Sequence, residues 1–150
     1  MAHTYINLLN HIIFSTKNRA PFLDDPIKPD LFAYLGGIVR QLNCKLLIVN
    51  GSTDHLHMLV SLSSQTNVAE LLRLVKTNSS RWIHEKFPAH KDFAWQIGYA
   101  AFSVSQSNLP SVQNYIAQQP EHHRRVTFQE EYINFLDKHG IEYDQRFIFD

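Results

Sequence analysis

Two histidines separated by one residue, His55 and His57, are the side chains with the clearest capacity for chemistry in this sequence. They open residues 55–62, a run of His-Leu-His-Met-Leu-Val-Ser-Leu whose length and composition are typical of a β-strand. Because successive side chains of a strand point to opposite faces, both imidazoles point the same way and Leu56 points into the opposite layer. Two imidazoles on one face can bind a single divalent ion. Asp54 could then orient one imidazole by accepting its other N–H.

The histidine pair alone does not decide between a metal site and a simpler explanation. The chain contains nine histidines, so a His-x-His pair in exposed or hydrogen-bonded positions is equally compatible with the sequence. Asp54 is likewise compatible with a turn that precedes the strand. The metal interpretation therefore depends on whether other residues of the chain suit the same chemistry.

Tyr115 and Gln119 form a second pair, four residues apart. The sequence predicts a short helix from about Ser111 to Gln119, ended by Pro120. Positions i and i+4 lie on one face of a helix, so a phenol and an amide oxygen would project together. Taken alone, the pair is explained as well by a half-buried tyrosine beside a solvent-facing glutamine.

Together, the two pairs indicate chemistry on a phosphodiester. A phenol with a pKa of about 10 is a weak nucleophile at neutral pH, and it attacks a phosphodiester only when the phosphate is polarised and aligned. A divalent ion bound by His55, His57 and Gln119 can do both. A covalent phosphotyrosine also conserves the energy of the broken bond, so that the strand can be rejoined elsewhere.

The elements that must position these residues follow from hydrophobic periodicity and from breaking residues. Strands are predicted at residues 5–14, 45–49, 55–62 and 95–104, and helices at 31–42, 68–87, 111–119 and from Thr127 to Gly140. This order is the βαββαβ pattern of a ferredoxin-like (RRM-like) α+β fold with an antiparallel sheet and additional C-terminal helices. We expect helices on one face of the sheet, the other face free for a site, and a single domain over residues 1–150.

Two connections bear on the site. The turn residues Asn50-Gly51-Ser52 predict a hairpin between the second and third strands. Residues 105–110 are small and polar without an apolar period, and we interpret them as a linker. Such a linker could carry the tyrosine helix away from its own sheet.

Composition limits the class of protein. The chain has 150 residues, of which 44% are hydrophobic, as in a globular domain with one core. A single cysteine, Cys44, allows no internal disulfide and suits a reducing cytoplasm. No apolar run approaches the roughly 18 residues of a membrane span, and residues 1–4 predict no secretory signal. We therefore expect a cytoplasmic protein without a membrane partner.

Charge argues against a protein that coats duplex DNA, because 14 basic residues balance 14 acidic ones. Residues 61–100 are locally basic, with five basic side chains against three acidic ones. On the helix predicted at 68–87, Arg73 and Lys76 project from the side opposite the apolar face. This surface could follow a confined phosphate track, although a solvated helix face explains any single lysine more simply.

Several segments resemble one known family. Residues 55–57 match the His-hydrophobe-His signature of the HUH endonucleases. Residues 115–123 (YIAQQPEHH) are similar to the single-tyrosine HUH transposases of the smallest bacterial insertion sequences, the IS200-like transposases. Further similarity lies in residues 14–19 (FSTKNR), 95–99 (WQIGY), 102–105 (FSVS) and 138–143 (KHGIEY). The resemblance thus covers nearly the whole chain.

This resemblance implies a metal-dependent transposase that cleaves and rejoins single-stranded DNA at hairpin-marked ends of a mobile element, through a 5′-phosphotyrosine intermediate. It implies that Tyr115 is the nucleophile and that His55, His57 and Gln119 bind Mg²⁺ or Mn²⁺. It also implies a homodimer in which each tyrosine helix docks in trans on the partner's histidines. A linker as short as residues 105–110 permits docking in cis as well.

The resemblance further implies a DNA-associated bacterial or archaeal protein. Candidate contacts to the hairpin or its phosphates are the basic residues Lys17, Arg19, Arg73 and Lys76. We interpret His122 and His123 as exposed polar residues that follow Pro120, rather than as a general acid.

Other functions are compatible with parts of the sequence. A domesticated or inactive relative would bind hairpins without transposing them, but the Gly-Thr-Pro-Arg stretch typical of the domesticated branch is missing here. Residues 98–102 (GYAAF) faintly resemble the aromatic motif of RNA-recognition modules, without its leading basic residue. A zinc hydrolase would use His, Glu or Cys rather than an amide as its third ligand.

Overall fold

The computed structural model describes residues 2–150. Met1, the first residue of the stretch in which we expect no secretory signal, lies outside the described residues. The strands are β1 (Leu8–Ser15), β2 (Lys45–Gly51), β3 (His55–Leu62) and β4 (Ala100–Val104). The α-helices are α1 (Lys28–Gln41), α2 (Val68–Lys86), α3 (Leu109–Ala117), α4 (Gln119–His122) and α5 (Phe128–Lys138).

The four strands form one antiparallel sheet in the order β2-β3-β1-β4. β3 is a central strand between β1 and β2, and its His57 lies opposite Ile13 of β1. Helices α1 and α2 connect the strands in the βαββαβ order. The predicted ferredoxin-like α+β fold is therefore confirmed.

One face of the sheet carries the larger core. Leu56, Met58 and Val60 of β3 are fully buried on this face. They pack against the apolar sides of α1 and α2, which supply Leu35 and Val75 among other residues. The alternation of β3 therefore directs its aliphatic side chains to this core and its histidines to the opposite face.

The opposite face is not free, which corrects our expectation. Helix α5 packs on it, and Phe128, Tyr132 and Leu136 form a second core with Ile13 and Phe102 of the strands. The apolar residues of α5 recur at helical spacing, so this helix must bury that side against another element. The histidines of β3 consequently lie between the sheet and the C-terminal helices.

Several element boundaries differ from the prediction, among them the start of β4 and the position of the β2–β3 turn. β4 begins at Ala100 rather than at residue 95, since Trp95 makes only an isolated bridge to Thr16. The indole of Trp95 is buried and donates to the hydroxyl of Ser79 at 2.9 Å. The β2–β3 turn spans residues 52–54 rather than 50–52, because Gly51 still pairs with Leu56 in the ladder.

The predicted linker over residues 105–110 is helical. Residues 106–108 form a 3₁₀ turn, in which the Ser105 hydroxyl accepts from the backbone N–H of Asn108 at 3.3 Å. Helix α3 then begins at Leu109, with Pro110 in its first turn, where a missing N–H costs nothing. The connection between β4 and α3 is therefore a short helical turn rather than an extended linker.

Among residues 2–150, no helix combines the length and the apolar character that crossing a bilayer requires.

Candidate active site

The two histidines of β3 lie under the C-terminal helices, and neither is accessible to solvent. His57 is within 2.7 Å of His11 on β1, measured from its Nδ1 to the Nε2 of His11. That contact leaves the Nε2 atom of His57 directed toward α5. Strand alternation thus supplies two buried imidazoles on one side of the sheet, as their spacing predicts.

Asp54, immediately before β3, holds His55 in place. Its Oδ1 atom lies 2.8 Å from Nδ1 of His55 and accepts from the hydroxyl of Ser52 at 2.9 Å. Partial burial is the largest single effect and opposes ionisation of Asp54, but the hydrogen bonds from His55 and Ser52 and the electrostatic attraction of His55 and His123 together lower the pKa of the carboxyl. The Nε2 atom of His55 is therefore the one that faces the site.

Gln119 reaches His55 from the opposite side. Its side chain is fully buried, and its Oε1 atom lies 3.2 Å from Nε2 of His55. The predicted single helix is in fact two, because α3 ends at Ala117 and Gln119 begins α4, with Pro120 in its first turn. The proline removes a backbone donor and so interrupts the helix, yet Tyr115 and Gln119 still face the same site.

Tyr115 lies over the histidines of its own chain. Its ring centroid is 5.8 Å from that of His57, and its hydroxyl donates to the carboxylate of Glu131. The amide of Asn50 on β2 donates to the carbonyl of Ala117 at 3.1 Å and anchors the end of α3. Burial, and then the Glu131 carboxylate, raise the pKa of Tyr115 well above its usual range.

Within one chain, α3 lies over the chain's own histidines, and a 3₁₀ turn over residues 106–108 joins it to β4. Docking on a partner's histidines, which the resemblance implies, is a property of a dimer that a single chain does not test.

Sequence reasoning missed two residues that lie at the centre of the site, Glu131 and His123. The Oε1 atom of Glu131 is 2.8 Å from Nε2 of His57, 3.0 Å from Nε2 of His123 and 3.5 Å from Nε2 of His55. The interpretation of His123 as an exposed residue was wrong, because only 7% of its side chain is accessible. His122 lies nearer the surface, with 32% of its side chain accessible.

Burial keeps the imidazoles of His57 and His11 neutral at physiological pH. It lowers the pKa of His57 to about 4 against the opposing effect of Glu131, and burial followed by the proximity of His57 lowers the pKa of His11 to about 3. Burial also acts to raise the pKa of Glu131, but hydrogen bonds from His123, His57 and Tyr115 hold it well below its usual range. The site therefore combines an ionised carboxylate with neutral imidazoles, the forms that bind metals.

The donor set fits a divalent cation. The available ligand atoms of His55, His57, His123 and Glu131 all lie within 4.8 Å of one another. The amide oxygen of Gln119 adjoins the same group. Imidazole nitrogens suit many divalent metals, and carboxylate and amide oxygens suit Mg²⁺ and Mn²⁺.

A cavity of about 200 Å³ gives access to this site. Its lining includes Tyr115, Glu131 and Phe135, with Lys138 supplying a cationic group. A phosphate that entered this cavity would thus meet the phenol and a lysine at once.

The structure does not bring the predicted DNA contacts on α2 into the site. Arg73 is exposed and is paired with Glu70 at 2.6 Å. Lys76 does not project into solvent as expected, because its ammonium donates to the carbonyls of Gln96 at 2.8 Å and Gly98 at 2.6 Å. Partial burial lowers the pKa of Lys76 to about 8. A DNA contact by Lys76 would require the loss of these hydrogen bonds.

The basic residues after β1 lie on a 3₁₀ turn over Lys17–Arg19. Lys17 is exposed, whereas the guanidinium of Arg19 lies 5.2 Å from the ring centroid of Phe149 in the C-terminal tail. Of the two, Lys17 is the one open to a ligand.

Sequence comparison places this chain in a known family. The family model described as "Transposase IS200 like" matches residues 4–119, which include Tyr115 and the histidine pair. The IS200 transposase of Salmonella typhimurium is 29% identical over 132 residues, covering 81% of this chain and 82% of its own. The ISDra2 transposase TnpA of Deinococcus radiodurans is 25% identical over 114 residues, covering 73% and 81% respectively.

Solved structures share the fold. A putative transposase from Deinococcus radiodurans superimposes with a TM-score of 0.65 at 26% identity, covering 79% of this chain and 96% of its own. A REP-associated tyrosine transposase, solved bound to a REP hairpin, gives a TM-score of 0.64 over 84% of this chain and 74% of its own. At 16% identity, the second likeness concerns the fold alone.

Proposed function

The chain belongs to the IS200-like transposase family, whose model matches residues 4–119, and from this membership we propose that it cleaves and rejoins single-stranded DNA through Tyr115. One observation carries the proposal. Tyr115 on α3, Gln119 on α4 and the histidines of β3 converge on one buried point from three elements. A tyrosine that served only to pack would not need its ring beside His57 and its hydroxyl on a buried carboxylate.

We assign His55, His57 and Gln119 as the residues that would hold Mg²⁺ or Mn²⁺. When bound, the cation would polarise the scissile phosphate and align it with the phenol. Asp54 fixes the orientation of His55 through the contact of 2.8 Å, so that Nε2 stays directed at the site.

Tyr115 would form the covalent bond to DNA. Its phenolic oxygen bonds to the phosphorus, and the bond from phosphorus to the 3′ oxygen of the preceding nucleotide breaks. Tyr115 loses its proton, the leaving oxygen gains one, and the 5′ phosphate remains on the tyrosine. In the reverse step, a 3′ hydroxyl attacks the phosphotyrosine, and Tyr115 recovers its proton.

We propose that the substrate is a hairpin flanked by single strands at the end of a mobile element. The neutral net charge supports this choice, because bulk attraction cannot supply the affinity and local contacts must. We expect hairpins from DNA flanking the gene to bind at least about 10-fold more tightly than a duplex of equal length. Fluorescence anisotropy over a salt series measures this ratio, and equal affinity for random duplex would contradict the proposal.

The homodimer is also a proposal, and a mixing experiment tests where its tyrosine helices dock. A heterodimer of His57→Ala and Tyr115→Phe chains has one complete site if docking occurs in trans, and none if it occurs in cis. Because α3 is anchored to its own β2 by Asn50, we expect the mixture to stay inactive.

The matched control for this experiment is a heterodimer of wild type with the double variant. It keeps one complete site in cis and should cleave at about half the wild-type rate per dimer, since it has one of the two sites. Two affinity tags verify that subunits have exchanged. Recovery of cleavage in the first mixture would show docking in trans.

A further inference from the structure

Helix α5 contributes a carboxylate to the site from beyond the part of the chain that the family model matches. That match ends at residue 119, whereas Glu131 lies in the first half of α5. We propose that Glu131 is the negatively charged ligand of the divalent cation, a role that rests on the function proposed above.

The two oxygens of Glu131 face different partners. Oε1 is turned toward the imidazoles, at 2.8 Å from His57 and 3.0 Å from His123. Oε2 accepts from the hydroxyl of Tyr115 and from the amide nitrogen of Gln119, the latter at 3.1 Å. One oxygen is thus placed among the metal-binding nitrogens while the other positions the nucleophile and turns the oxygen of Gln119 toward His55.

Burial and charge point to a cation beside this carboxylate. Glu131 is 2% exposed. Within residues 2–150, its ionic contacts closer than 4 Å are with imidazoles alone, and no lysine or arginine is among them. A buried carboxylate requires a compensating charge or a metal, and imidazoles carry no permanent charge.

The chemistry of the other metal ligands also indicates that Glu131 binds the cation. His55, His57 and Gln119 are neutral ligands, whereas Mg²⁺ and Mn²⁺ are hard cations bound in proteins chiefly by anionic oxygen. The carboxylate of Glu131 supplies that charge. Its neighbours on α5, Phe128 and Tyr132, are buried in the second core, and this packing holds the first half of the helix against the sheet.

Manganese binding measured without DNA tests this assignment by a readout other than cleavage. Calorimetric titration of the full chain with MnCl₂ would compare wild type, Glu131→Gln and Glu130→Gln. The glutamine at position 131 keeps the shape and one acceptor oxygen, but it loses the charge and presents an amide donor in place of the second oxygen. Glu130 is the matched control, since it is exposed and one residue away. We expect Glu131→Gln to raise the Kd at least about 10-fold and Glu130→Gln to leave it unchanged.

The outcomes separate this inference from the proposed function. Equal Kd values in wild type and Glu131→Gln would overturn the role of Glu131 and leave the histidine site intact. Failure of wild type to bind Mn²⁺ would overturn both. If Glu131→Gln fails to fold, a crystal structure of wild type with Mn²⁺ decides instead. A Glu131 oxygen about 2.1 Å from the ion supports the assignment, and an ion without this oxygen refutes it.

Discussion

Replacing Tyr115 by phenylalanine is expected to abolish the covalent protein–DNA adduct and to slow cleavage at least about 1,000-fold, because the nucleophilic atom is lost. Hairpin affinity should change less than about 2-fold. The substitution removes the hydroxyl and its hydrogen bond to Glu131, while the ring keeps its contacts with Phe135 and His122. Gel analysis of adducts formed with labelled hairpin DNA, together with anisotropy for binding, measures both quantities.

Two other tyrosines provide controls for this experiment. Tyr99 is partly exposed near α2, and Tyr132 is buried in α5. Their phenylalanine variants should form the adduct normally. An adduct that persisted in Tyr115→Phe would show that the nucleophile is a different residue, and these two tyrosines would be examined next.

Removing an imidazole from the site should produce the second large effect. We expect His57→Ala, or chelation of wild type with EDTA, to reduce cleavage at least about 100-fold, since the phosphate would lose its polarising cation. Hairpin affinity should remain within about 3-fold, because His57 is fully buried and cannot contact the DNA stem. Readdition of Mg²⁺ should restore the chelated wild type but not His57→Ala.

A histidine outside the site controls for loss of stability. The Nε2 atom of His84 on α2 is hydrogen-bonded to the carbonyl of Phe93 at 2.7 Å. His84 is distant from the site residues in sequence and contacts none of them. The His84→Ala variant should cleave DNA in the presence of Mg²⁺ and lose cleavage in EDTA, as the wild type does. Gln119→Ala should lose less activity than His57→Ala, because water can replace one neutral ligand. Cleavage at full rate in excess EDTA would contradict the proposed metal requirement.

The strand that carries the histidines could be predicted from its residues. The period of two in residues 55–62 determines that His55 and His57 share a face and that Leu56 and Met58 share the other. A slip of one residue would place the aliphatic side chains in the polar site, so the register is strongly specified. The predicted bounds of β3 accordingly match the observed ones.

Glu131 could have been found by the same kind of pattern. Phe128, Tyr132, Phe135 and Leu136 recur at helical spacing, and Glu131 falls three residues after the first of them. A carboxylate on the apolar side of a helix signals a buried charge that needs a partner. His123 offers no such signal, because it belongs to an irregular segment without periodicity.

Contacts between distant segments explain the remaining differences. The apolar side of α5 predicts that this helix packs against another element of the protein. It does not predict that this element is the histidine-bearing face of the sheet. Helical spacing alone predicts that Lys76 faces solvent, yet its ammonium donates hydrogen bonds to the carbonyls of residues 96–98. Such partners are set by tertiary packing, which local periodicity does not encode.

The central claim is that Tyr115 becomes covalently linked to DNA, and peptide mapping tests it most directly. Wild-type protein would be incubated with a single-stranded hairpin end and Mn²⁺, then digested with protease and nuclease and examined by mass spectrometry. We expect a 5′-phosphorylated nucleotide on the peptide that contains Tyr115, dependent on the metal. No nucleotide adduct, or an adduct on another tyrosine, would contradict the claim.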